Sequence, residues 1–318
     1  RVRTYLVQRL AIAVLTLFGM SVVIFALLRL APGDIVDILF STAGFVDPAA
    51  RTEIMRELGL DKPIWIQYLD WLRQIFSGDL GKSYRYDLPA WEIIRPLLPV
   101  TVELAALSMI VAVVLGVPTG VISAVRQDTP LDYVLRVLSL AGLSMPSFWL
   151  GMVIILGLVA WLGWIPPVTY VSPAENFQLH AAQFALPALA VGYRSSALIM
   201  RITRSSLLEV LREDYVRTAW AKGQTGRAVI WRHALKNAML PVITVIGIEF
   251  AFLIGGLVVT EQVFNLPGLA RFLVQAILWR DYPIVQNLVM LIAIVVILSN
   301  LAVDLLYGVL DPRVRYAG

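Results

Sequence analysis

Few residues in this chain have the type and spacing for bond-making chemistry. His180 and His233 are its only histidines, and it has no cysteine. A thiolate metal site and a disulfide framework are therefore excluded, and neither HExxH nor GxSxG occurs. Gly81-Lys82-Ser83 has the ending of a phosphate loop. Such a loop needs a second glycine five residues earlier, where Phe76 stands. The chain is thus expected to hold no nucleotide site, metal or cofactor of its own. What remains is a set of charges in apolar surroundings: Glu103, Arg194, Glu249 and Asp304. A charge at the centre of a membrane helix costs about 2.5–3.5 kcal/mol on insertion, so each should face protein or water. Glu103 and Asp304 lie near enough to segment ends to be hydrated. Glu249 falls about ten residues into its segment, near a bilayer midplane by helical rise. It either lines a polar path or pairs with Arg194.

The elements that must position these charges are membrane helices. Of 318 residues, 59% are hydrophobic and 15% charged, with a mean hydropathy of +0.78. No ordinary soluble domain has that composition. Apolar segments near Leu10–Ala31, Pro99–Val125, Val137–Ile165, Phe184–Met200, Met239–Thr260 and Ile284–Leu310 could each cross about 30 Å of hydrocarbon. The fourth is short, carries Arg194, and should continue as a helix outside the membrane through Ile202 toward Leu211. The first segment is too long for a cleaved signal peptide and lacks a small-residue cleavage site. Basic residues fix the orientation. Arg1, Arg3 and Arg9, then Arg126 and Arg136, then the 201–238 connection, then Arg313 and Arg315 fall on one side. The other side has only Arg271 and Arg280 outside its long first loop. Both termini should be cytoplasmic. The isoelectric point near 9.4 comes from these clustered loops and implies no nucleic-acid partner.

The long first loop contains Pro63–Phe76, with Trp65, Leu69, Leu72 and Phe76 on one helical face. Such a helix lies on the bilayer surface, caps the outside to seat an external protein, or does both. Pro118, Pro146, Pro187 and Pro241 fall within the apolar segments, where neighbouring groups can satisfy the carbonyls they free. Gly116-xxx-Gly120 and Gly247-xxx-Ala251-xxx-Gly255 suit close helix packing.

One polar stretch stands apart. Asp214 to Pro241 reads DYVRTAWAKGQTGRAVIWRHALKNAMLP, and the 201–238 connection holds eight Lys or Arg against three acids. Two short amphipathic helices joined by a bend at Gly223 are expected. The stretch resembles the EAA loop of the membrane subunits of binding-protein-dependent ABC importers: E-A-A, three residues, Gly, nine residues, I-x-L-P. Arg217-Thr218-Ala219 stands at E-A-A, Gly223 at the glycine, and His233-Ala234-Leu235-Lys236 at I-x-L-P. The departures are similar to those of the B-type peptide-permease branch, YVRTAxAKG…RHALxNAxLP. GDLGKS at 78–83, VFNLPGLA at 263–270, RDYP at 280–283 and LLYGVLDPRVRY at 305–316 extend the resemblance over nearly the whole chain.

The resemblance implies an all-α transmembrane, type I ABC importer permease fold. Six transmembrane helices are implied, with a long external loop after the first. Residues 1–98 would form the N-terminal helix and the external amphipathic loop, and residues 99–318 the five-helix core with its coupling loop. It implies import of di- or oligopeptides across a bacterial inner membrane, with a second homologous permease subunit, two ABC ATPase subunits and an extracytoplasmic binding protein. ATP and Mg belong to the ATPases. Asp214, Tyr215, Val216, Arg217, Thr218, Ala219, Trp220, Lys222 and Gly223 would form the ATPase-coupling segment. Tyr215, Val216 and Trp220 are expected to fill an ATPase groove, and Arg217 and Lys222 to meet its acidic rim. Glu249 and Arg194 are the candidates for the substrate path. The resembling subunits often carry Gln at the Glu249 position, so Glu249 is not a site taken from the family. Nickel chelates, glutathione and oligosaccharides remain alternative cargoes. An ion-coupled secondary transporter is the alternative of another class.

Overall fold

A computed structural model describes residues 2–30, 36, 48–165, 167 and 169–310, with side chains omitted at 2–6, 48 and 303–310. The side chain of Asp304 thus lies outside the described residues. Among them the chain is helical, apart from one isolated bridge between Lys82 and Pro89. The helices are α1 Val2–Leu30, α2 Pro48–Glu57, α3 Ile64–Phe76, α4 Ala90–Ile94, α5 Leu97–Val125, α6 Pro130–Ser144 and α7 Ser147–Leu162. They continue with α8 Phe177–Val210, α9 Asp214–Ala221, α10 Gly226–Gly256, α11 Val258–Val263, α12 Leu269–Leu278 and α13 Tyr282–Leu310.

The chain divides into two compact units, Arg1–Val100 with Gly268–Val295, and Thr101–Pro267 with Val296–Gly318. In the first, α3 is the expected amphipathic helix. Trp65, Leu69 and Phe76 are exposed. Its opposite face packs on α1, with Tyr68 and Trp71 around Phe25 at centroid distances of 5.2 and 5.8 Å. Leu28, Ile94, Leu269, Ala276 and Leu288 form a shared core. Buried Asp281 ties the 83–86 turn to that core. It accepts hydrogen bonds from the Ser83 hydroxyl and from the backbone N–H of Tyr84 and Arg85. The Ser83 hydroxyl of the GKS tripeptide is thereby committed to a turn.

The second unit is organised around α8. This 34-residue helix is about 51 Å long at 1.5 Å per residue. It buries Phe184, Ala188, Val191, Ile199 and Leu207 along its length. Neighbouring helices cover much of it, and Gln183, Ser195, Ser196 and Thr203 are among its buried residues. That explains why α8 is less apolar than the four helices long and apolar enough to span: Val7–Leu30, Ala90–Val125, Gly226–Gly256 and Tyr282–Ala302. The expected third span is not one straight helix. It breaks at Met145-Pro146 into α6 and α7, which meet at 104°. Proline excludes its predecessor from helical backbone, and Met145 is extended at φ −90°, ψ 128°. Pro118, Pro187 and Pro241 stay inside continuous helices. The extension of α8 beyond the apolar segment runs to Val210, as expected.

Close packing uses the first glycine stripe. A Cβ on Gly120 would lie 2.6 Å from Thr203 Cβ and 2.8 Å from the Met200 carbonyl oxygen. A Cβ on Gly192 would lie 2.6 Å from the Ser108 carbonyl oxygen. In the second stripe Gly247 and Ala251 are buried, but Gly255 has nothing within 4 Å of its Cβ position. Gly120→Val and Gly192→Val should each cost about 1–3 kcal/mol through overpacking. The midpoint of thermal unfolding in detergent should fall for both and stay unchanged for Gly255→Ala.

Candidate functional site: the coupling segment and its supports

Helix α9 opens with Asp214 in its first turn, where a carboxylate favours the helix dipole. It ends in a Schellman motif. The Gly223 N–H donates to the Trp220 carbonyl at 2.9 Å, and Gln224 N–H to the Ala219 carbonyl at 3.4 Å. Gly223 has φ +73°, a conformation a Cβ penalises, with open space around it. So backbone handedness, rather than crowding, is what requires glycine.

The helix has two faces with different uses. Val216 is fully buried and Ala219 is 6% exposed. They pack with Val121 and Ala124 at the end of α5, Leu207 of α8, and Val229, Ala234 and Ala238 of α10. This corrects the expectation for Val216, whose side chain is taken up by the core of its own chain and cannot fill a partner's groove. Tyr215 and Trp220 are exposed at 42% and 49%. Asp214, Arg217 and Lys222 are exposed, and Asp214 and Arg217 form a loose ion pair at 3.4 Å. Such an exposed pair is worth little to stability. The Thr218 hydroxyl returns to the Asp214 carbonyl at 2.9 Å.

The second expected short helix is not separate. The chain re-enters at Gly226, N-capped by Thr225, and runs unbroken into the membrane as α10. Its first part, Val229–Ala234, is π-helical. One side-chain bond ties α9 to α10, Asn237 Nδ2 to the Tyr215 hydroxyl at 2.7 Å; His233 Nε2 with Gln224 Oε1 at 2.7 Å ties the loop after α9 to α10, and the Ser206 hydroxyl to the Ala238 carbonyl at 2.9 Å ties α8 to α10. The expectation of a packing role for His233 becomes a specific bond to the loop after α9.

One support was missed from the sequence. Asp132 is fully buried and receives a bidentate Arg204 guanidinium, Nε at 3.0 Å and Nη2 at 2.8 Å. The Ser123 hydroxyl and the Asp128 N–H complete its shell. The pair joins α5, α6 and α8 just before α9. Thr129-Pro130-Leu131-Asp132 reads as a helix start, with Thr129 as cap. That signal finds Asp132 but not its partner 72 residues away. The Arg204 hydrogen bonds hold the Asp132 carboxyl below the usual carboxylate range. A depressed carboxyl contributes stability above its unfolded value of about 3.9, and that stability is lost only as pH falls through the lower folded value. It is therefore constant through neutrality.

The other interior charges have neutral or shared partners. Glu249 does not pair with Arg194. Its Oε2 accepts from the Ser195 hydroxyl at 3.0 Å, while Arg194 is exposed. Glu103 Oε1 lies 2.7 Å from His180 Nε2, and His180 Nδ1 lies 2.9 Å from the Val171 carbonyl. Both ring nitrogens thus face oxygen. Among the described residues no group of His, Cys, Asp and Glu could hold a metal ion.

Comparison with known proteins decides the family. Residues 116–316 match the family described as binding-protein-dependent transport system inner membrane component, and residues 2–105 match its N-terminal counterpart. The chain belongs to this family of membrane permeases. The dipeptide transport system permease protein DppB of Escherichia coli (strain K12) is 41% identical, with 98% of each chain covered. A di/tripeptide transport system permease protein of Pseudomonas aeruginosa (strain UCBPP-PA14) is 40% identical, covering 98% of this chain and 99% of that one. The oligopeptide transport system permease protein AppB of Bacillus subtilis (strain 168) is 36% identical over the same shares. Among solved structures, the MetNI methionine ABC transporter in inward-facing conformations gives a TM-score of 0.56 at 18% identity. That match covers 69% of this chain and 96% of the other, and it shows the shared fold.

Asp132→Asn leaves the Arg204 guanidinium without its counter-charge and should cost about 3 kcal/mol or more. The paired replacement Asp132→Leu with Arg204→Met should recover most of it, read as thermal midpoints of the purified permease at pH 7.

Proposed function

We propose that this permease carries peptides delivered by an extracytoplasmic binding protein into the cytoplasm. It does so with a second related permease subunit and two ATPase subunits. The observation that carries the reading is α9, a helix held on one face by its own chain and free on the other. ATP-driven closure of the ATPases would move α9 as a rigid piece. Tyr215 and Trp220 would sit in an ATPase groove, with Arg217 and Lys222 on its acidic rim. Differential contact of this kind in two states is what coupling requires. The bonds of Tyr215 to Asn237 and of Gln224 to His233 would pass the motion to α10, and that of Ser206 to Ala238 from α10 to α8. Basic residues at 201–238 favour a cytoplasmic position for α9 and for both termini. The names of the relatives favour di- and oligopeptides as cargo.

Arg194 and Glu249 would face the path. A peptide carries one ammonium and one carboxylate, and these two side chains offer the opposite charges. Glu249→Gln should lower peptide uptake in reconstituted vesicles while leaving assembly intact. Loss of assembly would instead assign Glu249 to packing through Ser195.

The coupling reading is tested at the free face. Trp220→Asp and Arg217→Glu should reach the membrane at normal levels, yet lose ATPase co-purification or the stimulation of hydrolysis by loaded binding protein. Gly223→Pro cannot adopt φ +73° and should uncouple by misdirecting the chain after α9. Normal stimulated hydrolysis and transport in all three would remove α9 from the coupling path.

A further inference from the structure

The first unit contains a cavity of about 530 Å³ with two buried donors that lack acceptors. Arg29 Nη1 and Gln286 Nε2 both belong to residues lining it, and among the described residues neither atom has a hydrogen-bond partner. Gln286 is only 3% exposed. The Arg29 guanidinium is held from two sides: Nε donates to Gln67 Oε1 at 2.8 Å, and the plane lies over Phe25 and Tyr282 at 4.4 and 4.5 Å. The side chain is therefore held in place with one N–H group left over. An unpaired buried donor costs about 1–3 kcal/mol, more when it is charged. Two beside one cavity mark the position of an absent acceptor.

The lining adds charge to this geometry. Lys62 is neutralised by Asp70 at 2.8 Å. Among the described lining residues, Arg29, Arg56 and Lys82 then stand against Glu57 and Asp87, a balance that favours an anion. Position narrows its source. Arg29 is in the last turn of α1, between Leu27 and Leu30, which are 60% and 75% exposed. Gln286 lies one turn into α13, another helix apolar enough to span. Helix α3 contributes Gln67, Asp70, Trp71 and Gln74 to the wall while exposing Trp65, Leu69 and Phe76 elsewhere on its surface. An amphipathic helix of this kind lies at the depth of lipid headgroups. The acceptor site is therefore level with the phosphates of the bilayer, and Leu27 and Leu30 beside it are placed to meet acyl chains.

We propose that this cavity binds the phosphate of a membrane glycerophospholipid, with Arg29 and Gln286 donating to its oxygens and Lys82 and Arg56 at the rim. Lys82 belongs to the tripeptide that resembles a phosphate loop. Here it would serve a lipid phosphate through charge alone, without the loop backbone a nucleotide needs.

The test uses the assembled transporter, stripped of lipid in detergent and titrated in native mass spectrometry. Phosphatidylglycerol and phosphatidylethanolamine should be retained at least about tenfold more tightly than monogalactosyldiacylglycerol, which has no phosphate, as expected for a charge-assisted hydrogen bond. Gln286→Glu keeps the shape of the side chain and supplies an anion from within the chain. It should lower phospholipid retention about tenfold while leaving galactolipid retention unchanged. Should that variant fail to assemble, Lys82→Gln with Arg56→Gln must lower phospholipid retention instead. Equal retention of the galactolipid by the wild type would overturn the proposal. Displacement of phospholipid by millimolar inorganic phosphate would assign the cavity to a soluble anion, and displacement by dialanine would assign it to cargo. Either result also overturns it.

Discussion

A helix too polar to face lipid must be wrapped by protein, and the second unit follows from that constraint on α8. Its buried Gln183, Ser195, Ser196 and Thr203 need partners, and its small residues allow them close. Gly120 and Gly192 bring α5 within backbone contact. Helix α6 lies against it through the Ser139 hydroxyl on the Ala197 carbonyl, and α10 through Ser195 and Ser206. Without the Pro146 break, α6 would continue in line with α7 and could not turn to cover α8. The bend is thus the local solution to covering a long, polar central helix with short segments.

Because α8 is gripped along its length, its extension past the apolar segment is a stiff mount. Helix α9 adds only eight residues, too few for an isolated helix to be stable in water. Its order comes from Val216 and Ala219 in a core made by three other helix ends, and from Asp132 fastening α6 to Arg204 beneath them. The π-helical start of α10 places Val229 and Ala234 in that core while His233 reaches Gln224. A π segment shifts the register of side chains that follow it, so it re-aims α10 between its contacts with α9 and its apolar stretch.

Much of this was legible in the sequence. Hydropathy located the apolar segments, spacing located α3, and the polar stretch with its glycine located α9 and the bend at Gly223. The limits have physical causes. Four prolines have the same local chemistry, yet only Pro146 breaks a helix, because the outcome depends on whether neighbours accommodate the lost bond. Tyr215, Val216, Ala219 and Trp220 are all apolar on an eight-residue helix, and periodicity does not say which face meets its own chain. The Asp132–Arg204 pair and the Glu249–Ser195 bond are long-range facts that one sequence does not encode locally. Hydropathy also underrated α8, since it scores contact with lipid and most of α8 contacts protein.

The carboxylates divide into two kinds. Asp132 is fully buried and meets a full positive charge in bidentate geometry, an arrangement costly to break and therefore fixed. Glu249 sits in an apolar stretch and receives a hydroxyl, from Ser195. Glu103 receives an imidazole whose other nitrogen also faces oxygen. A hydroxyl or imidazole partner stabilises a carboxylate less than a guanidinium does, so each of these bonds is broken at lower cost. The guanidinium-bound carboxylate lies between α6 and the part of α8 that precedes α9, and the other two lie on α5 and α10.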